Sequence, residues 1–184
     1  MSRYVALLRG INVGGNNLIR MADLKACFEA LGFGEVATYI ASGNVVFTAR
    51  EAGAEKLARR IEAALTARFG GVASIVLRSD KQMKDIIARA PAGFGTQPAR
   101  YRYDVIFLKP PLSAAAAIKS VITKPGVDQA HVGAGVLYFS RLISKATQSR
   151  LAKVVSLPIY KNMTIRNWNT TTALLRLADV SARD

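Results

Sequence analysis

The stretch Ser42-Gly-Asn-Val-Val-Phe-Thr48 returns 92 residues later as Ala134-Gly-Val-Leu-Tyr-Phe-Ser140. A glycine, a phenylalanine and a final hydroxyl residue coincide, and each stretch is typical of a tight turn that leads into a strand. The first strands of the two halves, Tyr4–Leu8 and Asp104–Leu108, are 100 residues apart. The first half therefore holds about eight extra residues, which fall in the segment 10–17, and the match predicts an internal duplication.

Hydrophobic periodicity gives both halves the same order of strand, helix, strand, strand, helix and strand. The second half begins after the Pro- and Gly-rich segment 91–98 and closes with a helix at Thr170–Leu177. This order predicts an α+β protein of two tandem ferredoxin-like (βαββαβ) halves, residues 1–92 and 99–184, the second with an extra C-terminal helix. Each half is expected to be an antiparallel sheet with its helices packed on one face.

Three helix starts are predicted from capping residues, the first of them at Ser113, before a helix at Ala114–Ile122. Asp80 is expected to cap a short helix that carries Met83 and Ile86, and Ser144 a helix marked by Leu151 and Val154.

Composition excludes several classes of protein. The chain is 51% apolar, which is incompatible with disorder, and no apolar run is long enough to span a bilayer. Tyr4–Leu8 is too short for the core of a signal peptide, so a cytoplasmic protein without a membrane partner is expected. Cys27 and His131 are the only cysteine and histidine, which rules out an internal disulfide and argues against a zinc site. No metal and no cofactor are predicted.

Positive charge is concentrated in the second half. The net charge is +14, and between Gln129 and Ala178 seven cations occur without a single carboxylate. Such a surface attracts phosphate-rich partners, an anionic small molecule or a nucleic acid. The alternative is a surplus of arginine without a functional role.

The segment from Arg9 to Asn17 is the first candidate site, because it follows a buried strand and precedes a helix, where backbone donors gather around anions. Its glycines have P-loop spacing, but Asn16 and Asn17 stand where that motif needs Lys and Ser or Thr, so the ATPase interpretation is excluded. A long turn is the alternative. The ligand-binding candidates here are Arg9, Gly10, Asn12, Gly14, Gly15, Asn16 and Asn17.

Two further segments supply candidates. Ser42 and Asn44 flank Gly43, where a plain hairpin is the favoured interpretation. The segment 161–170 combines two cations, amides and hydroxyls with the only tryptophan, a set that suits phosphates, sugars and base stacking. Helix capping and core anchoring explain it equally well. Its candidates are Lys161, Asn162, Thr164, Arg166, Asn167 and Thr170.

A basic ferredoxin-like chain invites comparison with RNA-recognition domains. Their aromatic signature is missing from Val45–Phe47 and Leu137–Phe139, so the likeness is architectural and assigns no function.

Three motifs in order resemble the bacterial family catalogued as domain of unknown function 1697. They are Arg-Gly-Ile-Asn-Val-Gly-Gly at 9–15, Tyr-Ile-x-Ser-Gly-Asn-Val at 39–45 and Asn-x-Thr-x-Arg-Asn-Trp-x-Thr at 162–170. The resemblance implies paired ferredoxin-like halves and no known activity. This sequence departs from the family pattern at Asn16 and Ala173, where the pattern often has lysine. An anion site inferred from the family would therefore carry less positive charge in this chain.

The leading hypothesis is a non-catalytic module that binds a phosphorylated ligand, nucleotide or nucleic acid, through its basic, Gly- and Asn-rich loops. One alternative is a transferase-type enzyme that uses no metal, His or Cys, for which Asp23 and Asp104 are the available carboxylates. The other is a scaffold or interaction protein.

Overall fold

A computed structural model describes residues 1–11, 18–50, 53–71 and 73–179. Its helices and strands follow one another in the predicted order. Two short 3₁₀ segments, Ile143–Gln148 and Pro158–Asn162, flank the fifth helix. In chain order the elements are β1 (Ser2–Leu8), α1 (Met21–Ala30), β2 (Gly34–Tyr39), β3 (Asn44–Ala49), α2 (Ala54–Phe69), β4 (Ile75–Ser79), α3 (Asp80–Ala88), β5 (Tyr101–Leu108), α4 (Ala114–Ser120), β6 (Asp128–Gly133), β7 (Val136–Leu142), α5 (Leu151–Val154), β8 (Met163–Asn167) and α6 (Trp168–Ala178).

The strands form two four-stranded antiparallel sheets with the same connectivity. Their orders are β2-β3-β1-β4 and β6-β7-β5-β8. The α+β class and the antiparallel sheets are thereby confirmed. The chain divides into two compact units: the first comprises Met1–Lys84 and the chain from Ala173 onward, and the second comprises Asp85–Thr172.

The core of the first unit lies between one face of its sheet and the helices α1 and α2. Alternate residues of β1 point to this face, as strand geometry requires, and Tyr4 and Leu8 are both buried there. An apolar stripe of α2 faces them, with Leu57, Ile61 and Leu65 at most 2% exposed. Burial of each such side chain stabilises the fold by about 1.5–3 kcal/mol.

The second unit repeats this arrangement with less helix. Ile106 and Leu108 of β5 and Phe139 of β7 are buried against α4 and α5. Ser113 caps α4 as predicted, since its Oγ accepts a hydrogen bond from the backbone N–H of Ala116.

Local details differ from the sequence predictions at the starts of elements. Ser79, rather than Asp80, caps α3: its Oγ accepts from the N–H of Gln82, whose side chain accepts from the N–H of Ser79. This reciprocal pair is a capping box, which the pattern Ser-x-x-Gln favours over an acidic cap. Ser144 caps no helix, because it lies inside a 3₁₀ segment, and α5 has only four residues.

Candidate functional site

The first predicted segment borders a cavity in the first unit. Its beginning, Arg9 and Gly10, lines a space of 260 Å³ together with apolar side chains that include Ile11 and Phe69. The predicted ligand residues Asn12, Gly14, Gly15, Asn16 and Asn17 lie outside the described residues. The carboxyl end of α2 lines the cavity, where Gly70 follows the last helical residue. Backbone carbonyls give this end of a helix a negative partial charge, which disfavours an anion.

The second predicted segment is a hairpin turn. Asn44 is fully buried, and its Nδ2 donates hydrogen bonds to the carbonyl of Tyr39 (2.9 Å) and to Oγ of Ser42 (3.0 Å). Gly43 adopts a positive φ of 75°. These bonds hold the turn between β2 and β3 and confirm the hairpin interpretation.

The third predicted segment divides into internal and accessible residues. Arg166 is buried, and its Nη1 donates to Oγ1 of Thr164 (2.8 Å) and to the carbonyl of Ile165 (2.9 Å). Lys161 is exposed and Asn162 half-buried, both within a 3₁₀ segment. Arg166 and Thr164 therefore contribute mainly to the interior of the second unit.

The end of this segment starts the last helix. Oδ1 of Asn167 accepts the backbone N–H of Thr170 at 2.7 Å, so Asn167 caps α6, one of the two roles weighed for it. Thr170 itself is buried. Trp168 is half-buried, and its ring meets that of Phe94 edge-on, with centroids 5.1 Å apart. The indole is thereby fixed within the second unit.

Asn167 and Trp168 line a polar cavity of 300 Å³ at the end of the second sheet, where β5 begins and where β7 and β8 end. We call it the Asp104 cavity, after the one carboxylate among its lining residues. The other nominated carboxylate, Asp23, lies in the first unit and pairs with Arg20 at 2.7 Å. The residues that line the Asp104 cavity are Pro98, Tyr101, Arg102, Tyr103, Asp104, Arg141, Asn167, Trp168 and Asn169.

Strand register brings the charges of this cavity together. Arg102 of β5 lies directly opposite Arg141 of β7, and Asp104 lies opposite Asn167 of β8. Like charges in directly opposed positions destabilise a sheet. One carboxylate oxygen of Asp104 is 3.6 Å from Nη2 of Arg141, which offsets one of the two positive charges. The cavity therefore keeps an excess of one positive charge.

Asp104 is held in an environment that disfavours its ionised form. The residue is 7% exposed. Burial raises the pKa of its carboxyl group, and the positive charges of Arg141 and Arg102 reverse this only in part. Titratable groups perturbed in this way, when they line a cavity, are concentrated at functional sites.

A second cavity, of 210 Å³, lies on the other face of the same sheet. Tyr101 and Tyr103 line both cavities, and their ring centroids are 6.0 Å apart. The second cavity also contains Phe94 and the polar side chains of Gln129 and His131. Because side chains alternate along a strand, the two tyrosines share the face opposite to Asp104.

The residues that make this site aromatic and basic were not predicted from the sequence. The strand was predicted to begin at Asp104, whereas β5 begins at Tyr101. The alternation Tyr-Arg-Tyr-Asp directly before the apolar run Val105–Leu108 was the available signal, because period-two alternation extends a strand. Tyr101 and Tyr103 add two aromatic rings to this central strand.

Metal-ligand clusters and membrane-spanning helices are both absent from the described part of the chain. Over residues 1–11, 18–50, 53–71 and 73–179, no three His, Cys, Asp or Glu side chains come together as metal ligands. Over the same ranges, no helix combines the length and the apolar character that crossing a bilayer requires.

Comparison with protein families gives one match. The model described as protein of unknown function (DUF1697) matches residues 1–138 of the 184. The chain belongs to this family. The DUF1697 resemblance drawn from the motifs is confirmed, and two of the three motifs, at 9–15 and 39–45, lie within the matched span. The third, at 162–170, lies beyond it.

A solved structure resembles this DUF1697 protein over nearly its whole length. It is described as the structure of conserved bacterial protein SP0830 from Streptococcus pneumoniae and is 26% identical with a TM-score of 0.84. The similarity covers 97% of this chain and 99% of that one. No curated protein matches the chain. The family and the solved relative therefore indicate the fold and a bacterial relationship, and neither description names a ligand.

Proposed function

We propose that this protein binds a phosphorylated ligand of nucleotide type, and that the Asp104 cavity in its second unit is the binding site. The observation that carries the proposal is the direct opposition of Arg102 and Arg141 at a cavity with a single carboxylate. A phosphate placed between two guanidinium groups would relieve their repulsion and accept paired hydrogen bonds. No catalytic step is needed for this function.

The other groups of the cavity suit a nucleotide. Trp168, which lines the cavity, offers an aromatic ring for contact with a base. Asn167 and Asn169, both exposed, stand at the start of α6, where the helix dipole is positive. The volume of 300 Å³ falls at the lower end of the range for small-molecule sites, so the proposal concerns one nucleotide unit, free or within a single strand.

The proposed ligand class is the one expected from the sequence, but the proposed binding site differs from the predicted segments. Of the residues nominated there, Asn167 lines the Asp104 cavity. A contribution from the segment 9–17 remains a prediction. We also propose a cytoplasmic setting, where nucleotides are available and where the lone, buried Cys27 would stay reduced.

We infer further that the two units are ferredoxin-like repeats. Support comes from a pair of arginines in equivalent places: Arg78 is opposite Val5, and Arg166 is opposite Val105. Nη1 of each donates to the carbonyl of the preceding residue, at 2.8 Å and 2.9 Å. Burial lowers the pKa of both guanidinium groups to about 10, so both stay charged at neutral pH.

Calorimetric titration of the purified protein would test ligand binding. The probes are inorganic pyrophosphate, the four common nucleoside 5′-monophosphates and a single-stranded oligonucleotide, each measured at several salt concentrations. At least one nucleotide should bind, with an affinity that falls as salt rises. Binding of the monophosphate alone would identify a free nucleotide as the ligand, and tighter binding of the oligonucleotide would identify a nucleic acid strand.

The matched variants are Arg102→Gln and Arg59→Gln, since each removes one exposed guanidinium group. Loss of Arg102 should weaken binding by roughly tenfold, as expected for one charge-assisted hydrogen bond. Arg59 lies on α2 in the first unit, beside Glu55, and its loss should change little. Equal effects of the two substitutions, or no binding of any probe, would overturn the proposal.

A further inference from the structure

Two buried polar atoms in the wall of the Asp104 cavity lack a hydrogen-bond partner among the described residues. They are Oδ2 of Asp104 and Nε of Arg141. The ion-pair distance from this carboxylate oxygen to Nη2 of Arg141 is 3.6 Å, which is too long for a hydrogen bond. The first atom is an acceptor and the second a donor, and both belong to residues that line the same cavity.

An arrangement of this kind costs stability. A buried donor or acceptor without a partner loses its hydration without compensation, and a charged group loses more than a neutral one. A purely structural ion pair would close to about 2.7–2.9 Å. Among the described residues, neither Oδ2 of Asp104, at 3.6 Å from Nη2 of Arg141, nor Nε of Arg141 has a hydrogen-bond partner.

The first unit demonstrates that the fold does not require a carboxylate at this place. Tyr4 is opposite Phe47 and Ser79 in the first sheet, as Asp104 is opposite Phe139 and Asn167 in the second. Tyr4 is buried, and its ring stacks on Phe47 with centroids 5.8 Å apart. An apolar ring therefore fills the position that Asp104 leaves polar.

We propose that Asp104 is the specificity-determining residue of the cavity: its Oδ2 accepts a hydrogen bond from an N–H donor on the base of the nucleotide, while an adjacent acceptor on that base receives Nε–H of Arg141. The inference rests on the proposed function and names the residues that hydrogen-bond to the edge of the base. Every common base carries an uncharged N–H donor next to an acceptor, whereas an inorganic phosphate near pH 8 brings more than one negative charge and mostly acceptor oxygens. Asp104 thereby repels bare anions and selects nucleotides.

The substitution Asp104→Asn separates these two effects, because it removes the charge and keeps the size of the side chain. Titrations near pH 8 use inorganic pyrophosphate as the bare anion and the tightest-binding nucleoside monophosphate as the nucleotide. Affinity for the nucleotide should fall by about tenfold, the difference between a charged and a neutral hydrogen-bond acceptor. Affinity for pyrophosphate should rise, because a negative charge has left the cavity.

A second measurement uses the unaltered protein and does not depend on a variant that folds. Ribose 5-phosphate, which keeps the phosphate and lacks the base, should bind at least tenfold more weakly than the nucleotide. Equal binding of the two, or a gain in affinity for both nucleotide and pyrophosphate in Asp104→Asn, overturns the role of Asp104 and leaves the proposed function standing. Failure of every probe to bind the unaltered protein overturns the proposed function itself.

Discussion

The two sheets share one topology and differ at one end. In the first unit, Ser2, Tyr4 and Ala49 occupy the positions that Arg102, Asp104 and Arg141 occupy in the second. The first set is small or aromatic, and Tyr4 belongs to the core beneath α2. The second set is charged and lines a cavity.

The length of the covering helix accounts for this difference. α2 has 16 residues and buries Leu57, Ile61 and Leu65 against its sheet. The corresponding stretch 143–162, all of which the structure describes, holds two 3₁₀ segments and the four-residue α5. A shorter cover leaves one end of a sheet open to polar side chains, so a repeat can acquire a site without a change in strand order.

The largest expected effect concerns the shared core. Phe47 and Phe139 occupy equivalent positions, both fully buried, and replacement of either by alanine should cost about 3–5 kcal/mol. Phe47→Ala should lose about 1 kcal/mol more free energy of unfolding than Phe139→Ala. The ring centroid of Phe47 is 4.6 Å from that of Phe33 and 5.3 Å from that of Phe28, whereas Phe139 packs in a largely aliphatic cluster. Urea unfolding curves measure both. A greater loss in Phe139→Ala would contradict the view that the first core is the better packed.

The next effect concerns the carboxylate that only the second unit carries. Asp104→Asn should raise the free energy of unfolding at pH 7 by about 1 kcal/mol or more, because the buried ionised group is disfavoured. The folded-state pKa of Asp104 is raised, so the folded protein binds the proton more tightly than the unfolded chain. The stability of the unaltered protein should therefore fall as pH rises from about 3.9, the usual carboxyl pKa, through the folded-state value.

Thermal unfolding of both proteins across this pH range is the measurement. The advantage of Asp104→Asn should be present at neutral pH and vanish below about pH 4, where Asp104 is protonated in both states. An advantage that persists unchanged in acid would mean that packing, rather than charge, is responsible.

A smaller effect is expected at the helix starts. Ser79 and Asn167 end the last strands of their sheets and cap α3 and α6. Replacement of either by alanine should cost about 1 kcal/mol in thermal unfolding. Only Asn167→Ala should also weaken nucleotide binding, because Asn167 lines the Asp104 cavity. Weaker binding in Ser79→Ala would place the ligand elsewhere.

The smallest effect tests what secures the long helix of the first unit. Glu55 and Arg59 form an exposed ion pair on α2, 3.6 Å apart. Glu55→Gln should change the free energy of unfolding by less than about 0.5 kcal/mol. Ile61→Val, which shortens a fully buried side chain on the same helix, should cost about 0.5–1.5 kcal/mol. A reversed order in chemical denaturation would show that surface charge, rather than burial, holds α2 in place.

The amino-acid sequence by itself determined the order of the helices and strands and the hairpin turn of the first half. A continuous apolar run marked β1, recurrence every four residues marked α2, and Ser42–Asn44 marked the hairpin that leads into β3, because each of these signals lies within a few consecutive residues. The three motifs also identified the family, since they required only matching letters in order.

Only the tertiary structure decided which side chains meet. Arg102, Arg141 and Asn167 are far apart in the chain, and strand register places them at one cavity. Arg166, nominated as a ligand residue, lies one position from Asn167 and is buried. Side chains of a strand alternate between faces, so a shift of one residue reverses inside and outside, and no local pattern fixes the register of strands distant in sequence.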